Sequence, residues 1–361
     1  MIYLDNGATS FHKPPEVLRA VQEALRTCAN PGRGSHRPAM AAAERIYDCR
    51  EAASRLFGCL PEQVVLTTSG THGLNMAIRT LVRPGDPVVI SGFEHNAVTR
   101  PLHALGAQVT VAGRKLFSPE DTLEQMEDAL RKRPKALICT HVSNVFGYIL
   151  PVEQIGWLCR HYGIPWILDA AQSAGSLPLA QADFVAMPGH KGLLGPQGTG
   201  LLLCTRPPEP LLYGGTGSAS LPPTMPEDLP DRGEAGTLNV PGYAGLTEGL
   251  RYLHRTGIHG IARRQQQEVR RAAAGLARLG YTVFSGPCQL GTLSFLPHGD
   301  CEEAATKLAR KGIALRAGLH CAPLAHESAG TLDTGTLRIS YGHDACPSQT
   351  QALLTAARVL L

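Results

Sequence analysis

Seven short apolar runs, most of them separated by a helix-length stretch, constrain the fold of this chain more than any other feature. They are Val64-Val65-Leu66-Thr67, Val88-Val89-Ile90, Val109-Thr110-Val111, Ala136-Leu137-Ile138-Cys139, Trp166-Ile167-Leu168, Phe184-Val185-Ala186 and Leu201-Leu202-Leu203. Amphipathic segments lie between several of them. One opens at Ser118-Pro119-Glu120-Asp121, which sets a cap, a first-turn proline and two acids in order. Strand–helix–strand repetition predicts an α/β fold, with a mostly parallel sheet covered on both faces. Ligands of such sheets bind beyond the carboxyl ends of the strands. After about residue 205 the rhythm changes. Gly214 to Gly236 reads as a long functional loop, and a helical stretch runs from Gly242 to Leu279 with a break near Gly257–Gly260. From Tyr281 the chain reads as a small α+β domain, with Asp300-Cys301-Glu302-Glu303 as a capping box.

A length of 361 residues fits about two domains of ~150 residues. The hydrophobic share of 43% against 18% charged supports a large core. With a net charge of +4 and no Lys/Arg block, neither nucleic acid nor an anionic membrane is an expected partner. No run approaches the ~18 apolar residues of a spanning helix. The first residues show no basic region followed by an apolar core, so a cytoplasmic location is expected. The ten cysteines form no CxxC pair and read as reduced thiols, with no metal site.

The chemistry concentrates at the ends of the apolar runs. In Met187-Pro188-Gly189-His190-Lys191-Gly192, a lysine sits in a glycine-rich loop that leads to Leu201. Upstream, Ile167-Leu168 ends in Asp169, followed by Ala170-Ala171-Gln172. Pyridoxal phosphate (PLP) needs both parts: an amine for the Schiff base and a buried carboxylate that keeps the pyridine nitrogen protonated. Ser69-Gly70-Thr71 opens a helix whose N–H groups, with the Thr71 hydroxyl, suit a phosphate. His95 at another run's end could stack on a flat ring and shuttle protons. His141-Val142-Ser143-Asn144 closes a further strand.

With these pieces in place, the chain resembles the class V aminotransferase family of PLP enzymes, fold type I, and within it the cysteine desulfurases and selenocysteine lyases. The resemblance runs from Leu4-Asp5-Asn6-Gly7-Ala8-Thr9 nearly to the C-terminus. It rests on the SGT…N loop at 69–75, EHN at 94–96, DAAQ at 169–172, GHK at 189–191, EAGT at 234–237 and RxGxHC at 316–321. It implies a PLP-dependent transferase fold with a seven-stranded large domain and a small α+β C-terminal domain. The expected boundaries are an N-terminal segment, 1–13, packing with the small domain; a PLP-binding domain, 14–240; and a long helix with the small domain, 241–361. It implies Lys191 as the Schiff-base lysine, Asp169 as the pyridinium partner, Gln172 on the phenolic oxygen and His95 on the ring. Ser69, Gly70, Thr71 and His190 would hold the phosphate. Thr237 would reach the phosphate of a neighbouring subunit, in a homodimer with shared sites. Arg338 would grip the substrate α-carboxylate, assisted by Asn144. His36, in Arg33-Gly34-Ser35-His36, would line the same pocket. One departure stands out. The family often has a phosphate-binding serine before the glycine at 189, and here that residue is Pro188, which has neither hydroxyl nor N–H. Val240 and Pro241 also depart from the usual residues.

Arg316-Ala317-Gly318-Leu319-His320-Cys321 moves the expectation from aminotransferase to desulfurase, because it is similar to the nucleophile loop of the group II (Suf-type) enzymes. A thiolate is suited to attack a thiol sulfur and keep it as a persulfide, and a nearby arginine or histidine, here Arg316 and His320, can activate it. The implied reaction converts L-cysteine to L-alanine. Lys191 removes the α-proton, and sulfur is left on Cys321 for an acceptor protein or thiol. The short nucleophile loop suggests dependence on an activating partner. Selenocysteine lyase, transamination, β-elimination to pyruvate and a non-catalytic sulfur-carrier scaffold are the rival expectations.

Overall fold

The computed structural model describes residues 1–358 apart from 33 and 219. Strand β1 (Ile2–Tyr3) and helices α1 (Pro15–Thr27) and α2 (Arg37–Phe57) precede the main repeat. That repeat is β2 (Val64–Thr67), α3 (Gly70–Leu81), β3 (Pro87–Ser91), α4 (Asn96–Ala104), β4 (Gln108–Ala112), α5 (Pro119–Leu130), β5 (Ala136–Thr140), α6 (Val152–Tyr162), β6 (Trp166–Asp169), β7 (Phe184–Pro188) and β8 (Gly200–Cys204). All seven apolar runs become strands of one sheet, in the order β2-β8-β7-β6-β5-β3-β4. Only β8 runs against its neighbours, β2 and β7. The connection from β7 to β8 is too short for a helical crossover, so the chain must double back.

Alternation along the buried strands builds a core on both faces. In β5, Ala136 and Ile138 join the layer containing Leu74 and Leu102, while Leu137 and Cys139 join the layer with Met126 and Leu250. Of the caps expected from sequence, Asp300 accepts from the Glu303 N–H at 2.8 Å. Ser118 occupies the cap position of α5, but its hydroxyl makes no cap bond.

Helix α7 (Val240–Thr256) and helix α8 (Ile258–Arg278) are divided at Gly257, where φ is +80°. Such a backbone suits glycine. Pro241 sits in the first turn of α7, where its missing N–H costs nothing, and Asn239 caps that turn by accepting from the Gly242 N–H at 3.0 Å. The remaining elements are β9 (Thr282–Phe284), β10 (Thr292–Leu296), α9 (Cys301–Arg310), β11 (Ile313–Ala314), β12 (Arg316–Gly318), α10 (Pro323–Ala329), β13 (Thr336–Ser340) and α11 (Pro347–Ala357). Strands β12-β13-β10-β9 form an antiparallel sheet with its own core. β1 pairs with β11, so the N-terminal segment joins the far end of the chain. No helix among the described residues is long and apolar enough to cross a membrane.

Candidate active site

The loops after β2, β3, β5, β6 and β7 close around one cavity of about 530 Å³. It brings together Ser69, Gly70, Thr71, His95, Asn144, Asp169, Gln172, His190 and Lys191. Each arrives by a local rule. Ser69 caps α3, its hydroxyl accepting from the His72 N–H at 3.1 Å and its carbonyl from the Gly73 N–H at 3.2 Å, which leaves the Gly70 and Thr71 N–H groups for a ligand. A side chain at Gly70 would meet Pro188 at 3.0 Å, so the first turn of α3 lies hard against the end of β7. At Gly192 a Cβ would drive into the Ala174 carbonyl oxygen, which fixes glycine beside Lys191.

Burial sets the charges. Lys191 is pushed down to about 8, by desolvation first and by Arg338 and Arg316 next, with Asp169 opposing. Its amine is therefore partly neutral near physiological pH. Asp169 is raised by burial, held back by the Ala171 N–H at 2.9 Å and by Lys191. His95 falls to about 4, through burial and then the charge of Lys191. Its Nδ1 accepts from the Ala97 N–H at 3.0 Å, so its proton resides on Nε2. His190 also falls to about 4 by burial, and its Nδ1 pairs with Thr9 Oγ1 at 3.1 Å. Gln172 donates to the Gly7 carbonyl at 3.0 Å, which spends one of its two amide protons.

Arg338 and Arg316 come from the small domain and stand opposite each other on β13 and β12. Both bind Asp5: Arg338 Nη2 donates to Oδ1 at 2.7 Å, and Arg316 Nη2 reaches Oδ2 at 3.0 Å. Arg338 Nη1 donates to the Asn144 carbonyl at 3.1 Å, while its Nε is buried without a partner. Asn144 Oδ1 is similarly orphaned, and its Nδ2 donates to the His320 carbonyl at 2.8 Å.

Cys321 is exposed, alone among the ten cysteines. It lines a groove of about 740 Å³ that shares Thr71, His95 and Ala97 with the Lys191 cavity. His320 and Cys321 both have left-handed backbone, φ +50° and +56°. The expected pairing of His320 with the thiol is not what the structure shows. The His320 ring is buried and approaches the Thr336 carbonyl through Nε2 at 3.2 Å. Burial pushes it down to about 2, so it is neutral and positions the loop rather than charging it.

His36 and Thr237 line neither this cavity nor the Cys321 groove, and Arg338 and Arg316 also line neither but act on Lys191 through their charge. His36 caps α2, its Nδ1 facing the Ala39 N–H at 3.4 Å. Arg33, named with it, falls outside the described residues. Thr237 is exposed and lines a separate groove of about 1400 Å³ with Gly215, Gly217 and Tyr47. Its neighbour Glu234 is structural: buried, it takes both Arg50 guanidinium nitrogens at 2.7 Å and the Leu66 N–H at 2.7 Å.

The profile of the family described as aminotransferase class-V matches residues 2–353. A probable cysteine desulfurase of Methanothermobacter thermautotrophicus is 32% identical over 356 residues, covering 92% of this chain and 88% of the relative. The chain belongs to the cysteine desulfurase branch of the class-V aminotransferase family. A solved apo structure of the cysteine desulfurase from Thermococcus onnurineus superposes with a TM-score of 0.91 at 31% identity, covering 99% of this chain and 94% of that one. The cysteine desulfurase CsdA (S-sulfonic acid) from Escherichia coli superposes with a TM-score of 0.87 at 28% identity, over the same shares.

Membership of this family implies PLP as cofactor, and the cavity fits it. The α3 terminus offers N–H groups to a phosphate, Lys191 offers a partly neutral amine, and Asp169 offers a buried carboxyl at the end of β6. Pro188, where a phosphate-binding hydroxyl is usual, packs against Gly70 instead.

Glu94 is a residue whose role the sequence hid. Fully buried, it is pushed up to about 8 by desolvation, while Ser91 Oγ and the Thr140 N–H at 2.7 Å donate to Oε1. Its nearness to Asp169 raises it further, so it is neutral at pH 7 and adds no second charge beside Asp169. A raised folded pKa means that its stabilising contribution is complete below the unfolded value. That contribution is lost as pH rises towards about 8. Glu94→Gln is expected to melt near wild type at pH 5 and to gain ~1–3 kcal/mol over it at pH 8.5. Parallel pH profiles of the two melting curves would refute this.

Proposed function

We propose that this protein is a PLP-dependent cysteine desulfurase that converts L-cysteine to L-alanine and retains the sulfur as a persulfide on Cys321. The observation that carries the proposal is an exposed thiol in a groove that shares a wall with the Lys191 cavity. When bound, PLP supplies an electron sink beside the substrate Cα. Lys191, partly neutral, accepts the Cα proton. The buried Asp169 carboxylate favours positive charge at the inner end of the cavity. Arg338 holds the substrate carboxylate through its unused Nε–H. The Cys321 thiolate attacks the substrate sulfur. An S–S bond forms, the Cβ–S bond breaks, and its electron pair remains with carbon, which gains a proton to become the alanine methyl. Carbon is reduced and the sulfur pair oxidised in one step, so no outside redox partner is needed.

Exposure leaves the persulfide open to an acceptor thiol or protein. The separate groove around Thr237, with exposed Leu212 and Tyr213 just before its Gly215 in the chain, fits a second copy of the chain that would bring its own site to this edge. The test is PLP-loaded protein with L-cysteine: alanine and sulfide in equal amounts under reductant are expected. Pyruvate, or no turnover of cysteine, would overturn the reading, and a monomeric mass in solution would remove the second copy.

A further inference from the structure

The two arginines whose charges reach Lys191 stand directly opposite each other across antiparallel strands, Arg316 against Arg338. Like charges in that register repel. The structure resolves the repulsion with one carboxylate. Asp5 Oδ1 accepts from Arg338 Nη2 at 2.7 Å, and Oδ2 accepts from Arg316 Nε at 3.1 Å and Nη2 at 3.0 Å. Asp5 is pinned there by its neighbours. The Leu4 N–H reaches the Ala314 carbonyl at 2.8 Å, the Asn6 side chain reaches the Ser340 carbonyl at 3.0 Å, and the Gly7 N–H reaches Ser340 Oγ at 2.6 Å.

Two guanidinium charges and one fixed carboxylate leave a single net positive charge. One buried guanidinium nitrogen is also left without any partner, Arg338 Nε. Resting on the desulfurase reading, we propose that Asp5 is a specificity-determining residue. By cancelling one of the two arginines it admits amino acids with one carboxylate and disfavours those that carry a second acid group. The trio lies within electrostatic reach of the chemistry, since Arg338, Arg316 and Asp5 all act on the Lys191 amine.

The experiment counts charges in the holoenzyme. L-alanine and L-aspartate, with one and two carboxylates, are titrated as ligands by the change in cofactor absorbance and as competitors of L-cysteine. Asp5→Asn, with a net charge of two, is expected to bind aspartate relative to alanine about tenfold better than wild type does. Arg316→Gln should bind both ligands about tenfold more weakly, and the Asp5→Asn/Arg316→Gln double variant should return to the wild-type preference. An unchanged aspartate-to-alanine ratio in Asp5→Asn, or equal weakening of both ligands, would overturn the proposal. If Asp5→Asn does not fold, Arg316→Gln decides alone: unaltered alanine binding overturns it. A wild type that binds alanine but yields none from cysteine sinks the desulfurase reading and leaves this test standing.

Discussion

Lys191→Ala is expected to abolish covalent retention of the cofactor and to lower turnover of L-cysteine by at least about a thousandfold. Two separable functions depend on this amine. It tethers the cofactor, and it carries the proton from the substrate Cα. Both need the unprotonated amine, and burial together with Arg338 and Arg316 makes that form accessible by pulling the group to about 8. The pKa is lowered, so the neutral fraction grows as pH rises. The rate of cofactor loading onto wild-type apoprotein should therefore climb through about pH 8 rather than near the ordinary lysine value. Borohydride reduction followed by intact mass is a readout that needs no activity: wild type gains the cofactor's mass, and Lys191→Ala does not. The fold should survive, because the Lys191 side chain is half-buried and alanine removes an ammonium that burial penalises. A variant that still carries reducible cofactor would place the tether on another residue.

How far the sequence could be followed depends on how local each interaction is. The strands were legible because period and length are local properties, and five of the seven runs, those of β2, β3, β5, β6 and β7, end where a loop of the site begins. The break at Gly257 and the cap at Asp300 were legible for the same reason. The reversal of β8 lay in a connection length rather than in its residues, so the run Leu201–Leu203 reads alike in either direction.

Contacts between distant parts of the chain gave no signal. Asp5 meets Arg338 across 333 positions and Glu234 meets Arg50 across 184, so Asp5 and Glu234 were visible only as motif letters and their pairings not at all. Glu94 was legible as a letter of EHN, but its burial against Thr140 is tertiary, and so is its neutral state. His320 shows the cost of reading adjacency as contact. It precedes Cys321 in the chain, yet the left-handed backbone at both residues sends its ring to Thr336.

Cys321→Ser is expected to keep the holoenzyme's colour and fold while persulfide formation falls below detection and alanine production drops by at least about a hundredfold. Serine isolates the chemistry because the loop is held by groups other than the thiol. The Asn96 N–H binds the Cys321 carbonyl at 2.8 Å, Asn144 binds the His320 carbonyl at 2.8 Å, and the Ala322 N–H binds the Leu319 carbonyl at 3.0 Å. These contacts offset the cost of two consecutive non-glycine residues at positive φ, a cost of order 1–3 kcal/mol each. They hold the side chain at the wall of the groove in either variant. A hydroxyl there is protonated at neutral pH and hard, so it does not displace carbon from sulfur. Alkylation gives an independent view: the other nine thiols are buried or half-buried, so iodoacetamide should modify Cys321 first and stop turnover with one equivalent bound. Selenocysteine separates the closest rival, since selenium leaves carbon more readily than sulfur does. If Cys321→Ser still turns over selenocysteine near the wild-type rate but not cysteine, the thiol is required for sulfur alone. If it turns over cysteine normally, Cys321 is not the nucleophile, and the desulfurase reading loses the residue that carries it.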